Sequence, residues 1–175
     1  DRVLALSPRV VGCTSMFQQN VASLALLQRI RERAPHVVTM MGGANCETVM
    51  GRTLHENFHW VDYVVSGEAD ELIADLCKKV LAHGRDVPSS EVPFGVFAPN
   101  HRVVGYPVAK NGDGVPRAIV QDMRKVPLPE YDEYFAELDA FLYRSDVLAC
   151  LPIETSRGCW WGAKSHCTFC GLNGG

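Results

Sequence analysis

Three short apolar runs divide the first half of the chain, and each is followed by turn residues and then by a longer stretch of helical periodicity. Val10-Val11-Gly12-Cys13 passes into the polar pair Thr14-Ser15, and residues 20–34 follow, rich in Leu, Ala and Arg and closed by Pro35. A run this short, bounded by turn residues, predicts a strand, and the stretch after it predicts a helix. Val37-Val38-Thr39-Met40-Met41 is β-branched, stops at Gly42-Gly43 and reads as a buried parallel strand, with a second helix over 47–57. Val61-Asp62-Tyr63-Val64-Val65 ends at Ser66-Gly67 and predicts a third strand. A third helix is expected over 68–83, with Leu72, Ile73, Leu76 and Val80 on one face. Its expected first turn carries Glu68, Asp70 and Glu71, the sign that suits a helix N-terminus.

Strand, loop and helix repeated three times predict an α/β fold of the Rossmann or flavodoxin-like kind, a parallel sheet with helices on its faces. Right-handed crossovers bring the three strand-to-helix loops, 14–19, 42–46 and 66–70, to one edge of the sheet. Ligands of such folds bind outside the carboxyl ends of the strands.

The texture changes after His83. Seven of the ten prolines fall between Pro88 and Pro129, with glycines at 84, 95, 105, 112 and 114. Hairpin-like pieces are expected at 94–98 and 101–104, then a linker and a modest helix over 132–143. Residues 148–155 read as a buried strand that runs into a cysteine loop. The expected organisation is an α/β domain over 1–83, an extension and linker over 84–147, and the start of a second domain over 148–175.

Composition narrows the function. Hydrophobic residues make up 47% of the 175 positions and charged residues 21%, which suits a packed core rather than disorder. A net charge of −3 without a basic tract argues against a nucleic-acid binder. No apolar run approaches the ~20 residues that span a bilayer, and the first residues lack the layout of a secretory signal. A cytoplasmic protein is expected. Of seven cysteines, Cys13, Cys46, Cys77 and Cys150 are scattered among apolar residues, whereas Cys159, Cys167 and Cys170 crowd into twelve positions beside glycines and aromatics. That asymmetry points to a local metal or cluster site rather than a disulfide framework.

The three clustered cysteines are spaced C-x7-C-x2-C. Three thiolates would leave one iron of a 4Fe–4S cluster open to a substrate. Gly158 and Gly162 permit a tight loop, and Trp160, Trp161 and Phe169 can shield a cluster from water. Spacing alone also accommodates zinc, because Cys167-x2-Cys170 is a common half of a zinc knuckle that Cys159, His166 or Cys150 could complete. His36, His55, His59 and His101 read as surface or structural residues.

The run from Glu154-Thr155-Ser156-Arg157-Gly158-Cys159-Trp160-Trp161-Gly162 to Cys167-Thr168-Phe169-Cys170-Gly171 closely resembles radical S-adenosylmethionine (SAM) enzymes that mature ribosomally made peptides, the RiPP maturation radical SAM protein 1 group. Their usual superfamily spacing is C-x3-C-x2-C, so the seven-residue gap is a departure from the superfamily and is associated with this group. Thr14-Ser15-Met16-Phe17-Gln18-Gln19, Gly42-Gly43-Ala44-Asn45-Cys46-Glu47 and Ser66-Gly67-Glu68 resemble the cobalamin-binding half of those proteins. The resemblance covers nearly the whole chain and is strongest in 10–75 and 150–175.

The resemblance implies a cobalamin-binding domain lacking its first strand, followed by the opening of a partial β/α barrel. It implies a 4Fe–4S cluster on Cys159, Cys167 and Cys170, with SAM on the open iron near Phe169 and Gly171. Cobalamin would lie against Thr14, Ser15, Met16, Gly42, Gly43, Ala44, Asn45, Ser66, Gly67 and Glu68. Close backbone approach is the expected role of Gly42 and Gly43; Glu68 could instead serve only the helix dipole. The implied reaction is radical modification of a peptide precursor, methylation above all, with a flavodoxin- or ferredoxin-type electron donor. Because 175 residues fall short of a complete barrel, the segment by itself is expected to be inactive. Two alternatives stay open: a related enzyme acting on a small metabolite, and a zinc-stapled binding module without catalysis.

Overall fold

The computed structural model describes residues 2–109, 114–154, 157–161 and 164–165. The chain divides into two compact units, residues 1–121 and residues 122–175.

In the first unit the expected alternation of strand and helix is present. Strand β1 (Val10–Thr14) leads into helix α1 (Gln19–Arg33), β2 (Val38–Gly42) into α2 (Thr48–Asn57), and β3 (Tyr63–Val65) into α3 (Ile73–His83). A short β4 (Val96–Phe97) completes a sheet of order β1-β2-β3-β4. The first three strands are parallel, and β4 runs antiparallel to β3 through Val64–Phe97 and Val65–Val96. The fold is an open, mostly parallel α/β sheet of the Rossmann-like kind.

The period-2 alternation of the strands decides which helix covers which face. Met41, Val64 and Phe97 turn toward α1 and α2, where they meet Leu24, Leu27, Ile30 and Leu54. Val38, Met40, Tyr63, Val65 and Val96 turn the other way and meet Leu76 and Val80 of α3. With both faces covered, Leu27 and Leu76 lose all contact with water, which stabilises the fold by about 1.5–3 kcal/mol for each such side chain.

The amino edge of the sheet is sealed by a buried polar cluster. The carboxylate of Asp62 accepts from the backbone N–H of Thr39 at 2.9 Å, from Arg31 at 2.5 Å and from Arg85 at 2.9 Å. His55 lies fully buried beside it, with Nε2 2.9 Å from the Asp62 carbonyl and Nδ1 2.7 Å from the Tyr106 hydroxyl. Arg102 donates to the carbonyls of His55 and Val61. Burial first, and the Arg102 charge second, push the His55 imidazole down to about 3. His55 and His101 are therefore structural, as the sequence suggested.

Three elements differ from expectation. Helix α3 begins at Ile73 rather than 68, so Glu68, Asp70 and Glu71 all lie outside it and Asp75 is the acidic residue of its first turn. The carboxylates of Glu68 and Glu71 accept from the backbone N–H groups of Val120 and Gln121 instead, at 2.6 and 3.5 Å. Residues 101–104 form a one-turn helix, α4 (His101–Val104), and not a hairpin strand. In the second unit, helix α5 (Asp132–Ala140) is present, but residues 148–154 form no strand and Leu148 and Ile153 are exposed. A buried strand needs ladder partners and a covering layer, and the described residues of this unit supply neither. Among the described residues no helix is long and apolar enough to cross a membrane.

Candidate functional site

The three loops predicted to share an edge do share it, and hydrogen bonds tie them together. Ser15 at the end of β1 is fully buried and donates its N–H to the Gly42 carbonyl at 2.8 Å. Asn45 binds back across the gap. Its backbone N–H donates to the Ser15 carbonyl at 3.1 Å, and its side-chain amide donates to Ser15 Oγ at 2.9 Å and to the Phe17 carbonyl at 3.0 Å. The second and third loops are joined where the N–H of Thr48 donates to Ser66 Oγ at 2.8 Å.

Gly43 is required by this arrangement. Its φ is +91°, and a Cβ added there would stand 2.6 Å from the Ser15 carbonyl oxygen. The close approach that its missing side chain allows is thus between two loops of the protein. Gly42 has ordinary space around it, the nearest neighbour of an added Cβ being the Val65 side chain at 3.7 Å.

The third loop is covered. Gly67 pairs with Ala118 as an isolated bridge, the N–H of Glu68 donates to the Ala118 carbonyl at 2.9 Å, and that of Ala118 to the Ser66 carbonyl at 2.8 Å. A Cβ on Gly67 would lie 2.2 Å from the Ala118 oxygen. Residues 115–121 therefore strap Ser66, Gly67 and Glu68, and Arg117 of the strap pairs with Glu47 at 3.3 Å. This strap was not legible in the sequence, where its residues read as linker.

What stays open to solvent is the ledge made by the first two loops: Thr14, Met16, Phe17 and Ala44 are exposed, Gly42, Gly43 and Asn45 partly so. Val21 on the first turn of α1 and Val49 and Met50 on that of α2 are exposed as well. No charged residue occurs between Thr14 and Asn20. An uncharged ledge of this make-up can take an apolar or aromatic group lying flat, and in that respect the residues fit one face of a corrin. The thiols behind it are not reactive groups. Burial pushes Cys46 up to about 12 and raises Cys13 too, the latter partly offset by a hydrogen bond from Ser23.

In the second unit, Cys159 is exposed, and Trp160 and Trp161 stand edge to face with centroids 5.8 Å apart. The Lys164 ammonium lies 5.2 Å from the Trp160 centroid, and Arg157 pairs with Glu154 at 2.8 Å. Cys167 and Cys170, like Phe169 and Gly171, lie outside the described residues. Among the described residues no group of three or more His, Cys, Asp or Glu side chains is placed to hold a metal ion.

No family model matches the chain. It is 28% identical over 109 residues to the anaerobic magnesium-protoporphyrin IX monomethyl ester cyclase of Rubrivivax gelatinosus. The chain is a distant homologue of this enzyme. The alignment covers 61% of the chain and 19% of the cyclase, so the chain matches about a fifth of its relative's length.

Proposed function

We propose that the chain belongs to a radical SAM enzyme, with a 4Fe–4S cluster on Cys159, Cys167 and Cys170 and cobalamin on the carboxyl edge of the α/β sheet. The observation that carries the reading is the C-x7-C-x2-C loop following a Rossmann-like unit. The distant homology to a tetrapyrrole ester cyclase supports it, and the uncharged apolar ledge supports the cobalamin part. The cluster would supply an electron to SAM, and cobalamin a transferable methyl group. The protein's share is placement and exclusion of water. Phe169 and Gly171 would neighbour SAM.

The substrate we propose is a ribosomally made peptide precursor, on the resemblance of the cysteine loop, with a flavodoxin- or ferredoxin-type donor and a cytoplasmic location. A second reading has its own support: homology to an enzyme named for a magnesium-porphyrin ester favours a small tetrapyrrole-like substrate.

Anaerobic loading with iron and sulfide tests the proposal. A brown, broadly absorbing protein is expected, with the absorption lost in Cys159→Ala, Cys167→Ala and Cys170→Ala. Failure to load iron, together with stoichiometric zinc held by the same three cysteines, would make the chain a zinc-stapled module instead.

A further inference from the structure

We propose that Phe17 is the platform on which the flat ligand of the carboxyl edge rests, and that Asn45 is the positioning residue that holds it there. The inference rests on the corrin reading of this edge and adds a residue role to it.

Phe17 combines two unfavourable properties. Its φ is +47°, in the left-handed region that costs a bulky L side chain free energy. The residue is also 83% exposed, so burial offsets little of that cost. Glycine or asparagine would occupy the position more cheaply. Strained residues persist where their surroundings over-determine them, and they cluster at ligand clamps.

The surroundings do over-determine this one. The Asn45 side-chain amide holds the Phe17 carbonyl and Ser15 Oγ, and the Asn45 backbone holds the Ser15 carbonyl. On the other side of Phe17, the Met16 N–H donates to Gln19 Oε1 at 3.0 Å and the Gln19 N–H to the Met16 carbonyl at 3.0 Å. Gly43 admits the loop at close range. The Ser15 backbone and the Asn45 N–H groups thus bind within the two loops, and Phe17 and Met16 are left exposed on the ledge. An uncharged aromatic and thioether surface suits the apolar face of a planar macrocycle.

The test is titration of the full chain with hydroxocobalamin, read from the visible spectrum of the bound corrin, beside thermal melting of the unliganded protein. Phe17→Asn, which removes the ring and suits the left-handed conformation, is expected to weaken binding about tenfold while the melting temperature holds or rises by a few degrees. Phe17→Tyr keeps the ring and is expected to bind within about threefold of wild type. Asn45→Ala leaves Phe17 in place but frees it, and is expected to weaken binding severalfold. If wild type binds hydroxocobalamin and Phe17→Asn binds equally well, the platform role is wrong and the corrin reading stands. If Phe17→Asn weakens binding only with a lowered melting temperature, the ring is holding the fold, and the platform role is again wrong. No binding by wild type overturns the corrin reading and the platform together.

Discussion

In the unit formed by residues 1–121, Leu27, Val61, Leu76 and Phe97 are sealed from solvent. In the unit formed by residues 122–175, Leu128, Leu148 and Ile153 are 92%, 88% and 78% exposed, and among its described residues Leu138 is the sole member of the buried core. Both units are drawn from similarly apolar sequence. The difference is architectural. The first has a sheet covered on both faces, so each inward side chain has a facing layer. Among its described residues the second has one nine-residue α-helix, two single-turn 3-10 helices and no strand. Apolar sequence becomes a core only where a second layer exists to receive it.

The comparison can be broken or sharpened by substitution. The largest effect is expected at Asp62. Asp62→Ala removes the carboxylate that Arg31, Arg85 and Thr39 share and should cost about 3–5 kcal/mol in urea unfolding. A loss below 1 kcal/mol would show that the amino-edge cluster does not hold the first unit together.

Gly43→Ala comes next. It places a Cβ 2.6 Å from the Ser15 oxygen at a φ of +91°, and a loss of about 2–3 kcal/mol is expected, together with loosening of the 14–19 loop. Hydrogen exchange at Ser15 and Asn45 would report it. Unchanged protection would mean that the two loops are not locked as described.

Acidification should act on the first unit through His55. Its folded value, about 3, lies below the ordinary 6.5. The unfolded chain therefore takes up a proton below pH 6.5 that the folded chain refuses. Stability is fully present above that pH and falls as the pH drops toward 3. The slope from this group is at most about 1.4 kcal/mol per pH unit. Unfolding series at several pH values, with His55→Gln alongside, check it: the substitution should flatten the slope.

The smallest effect is expected in the second unit. Leu148→Ser should change unfolding free energy by less than about 0.5 kcal/mol, whereas Leu76→Ala in the first unit should cost about 2–5 kcal/mol. Leu148→Ser should also lower the binding of a hydrophobic dye. Equal costs at Leu148 and Leu76 would erase the distinction between the two units.

The sequence was legible where periodicity is local. Strands β1, β2 and β3 and helices α1 and α2 lie within one or two residues of where their apolar spacing puts them, because a buried strand and an amphipathic helix each write their pattern into consecutive residues. The start of α3 was misplaced because Glu68, Asp70 and Glu71 have the composition of a helix first turn, yet Glu68 and Glu71 bind the strap at Val120 and Gln121. No local signal announces a partner 50 residues away. The left-handed backbone of Phe17 was not legible for a related reason, since no residue type marks a left-handed aromatic. For Ser15, Gly43 and Asn45, local spacing located the edge they lie on but not their mutual bonding.

By itself the sequence determined the α/β class, the edge of the sheet at which three loops converge, and the grouping of three cysteines, since all three follow from short-range spacing. Tertiary structure alone decided which loops stay open and which is strapped, that β4 runs antiparallel, and that Asp62 and His55 seal the opposite edge. Those outcomes depend on contacts between residues far apart in the chain. Their free energies arise only once the sheet has brought the partners together.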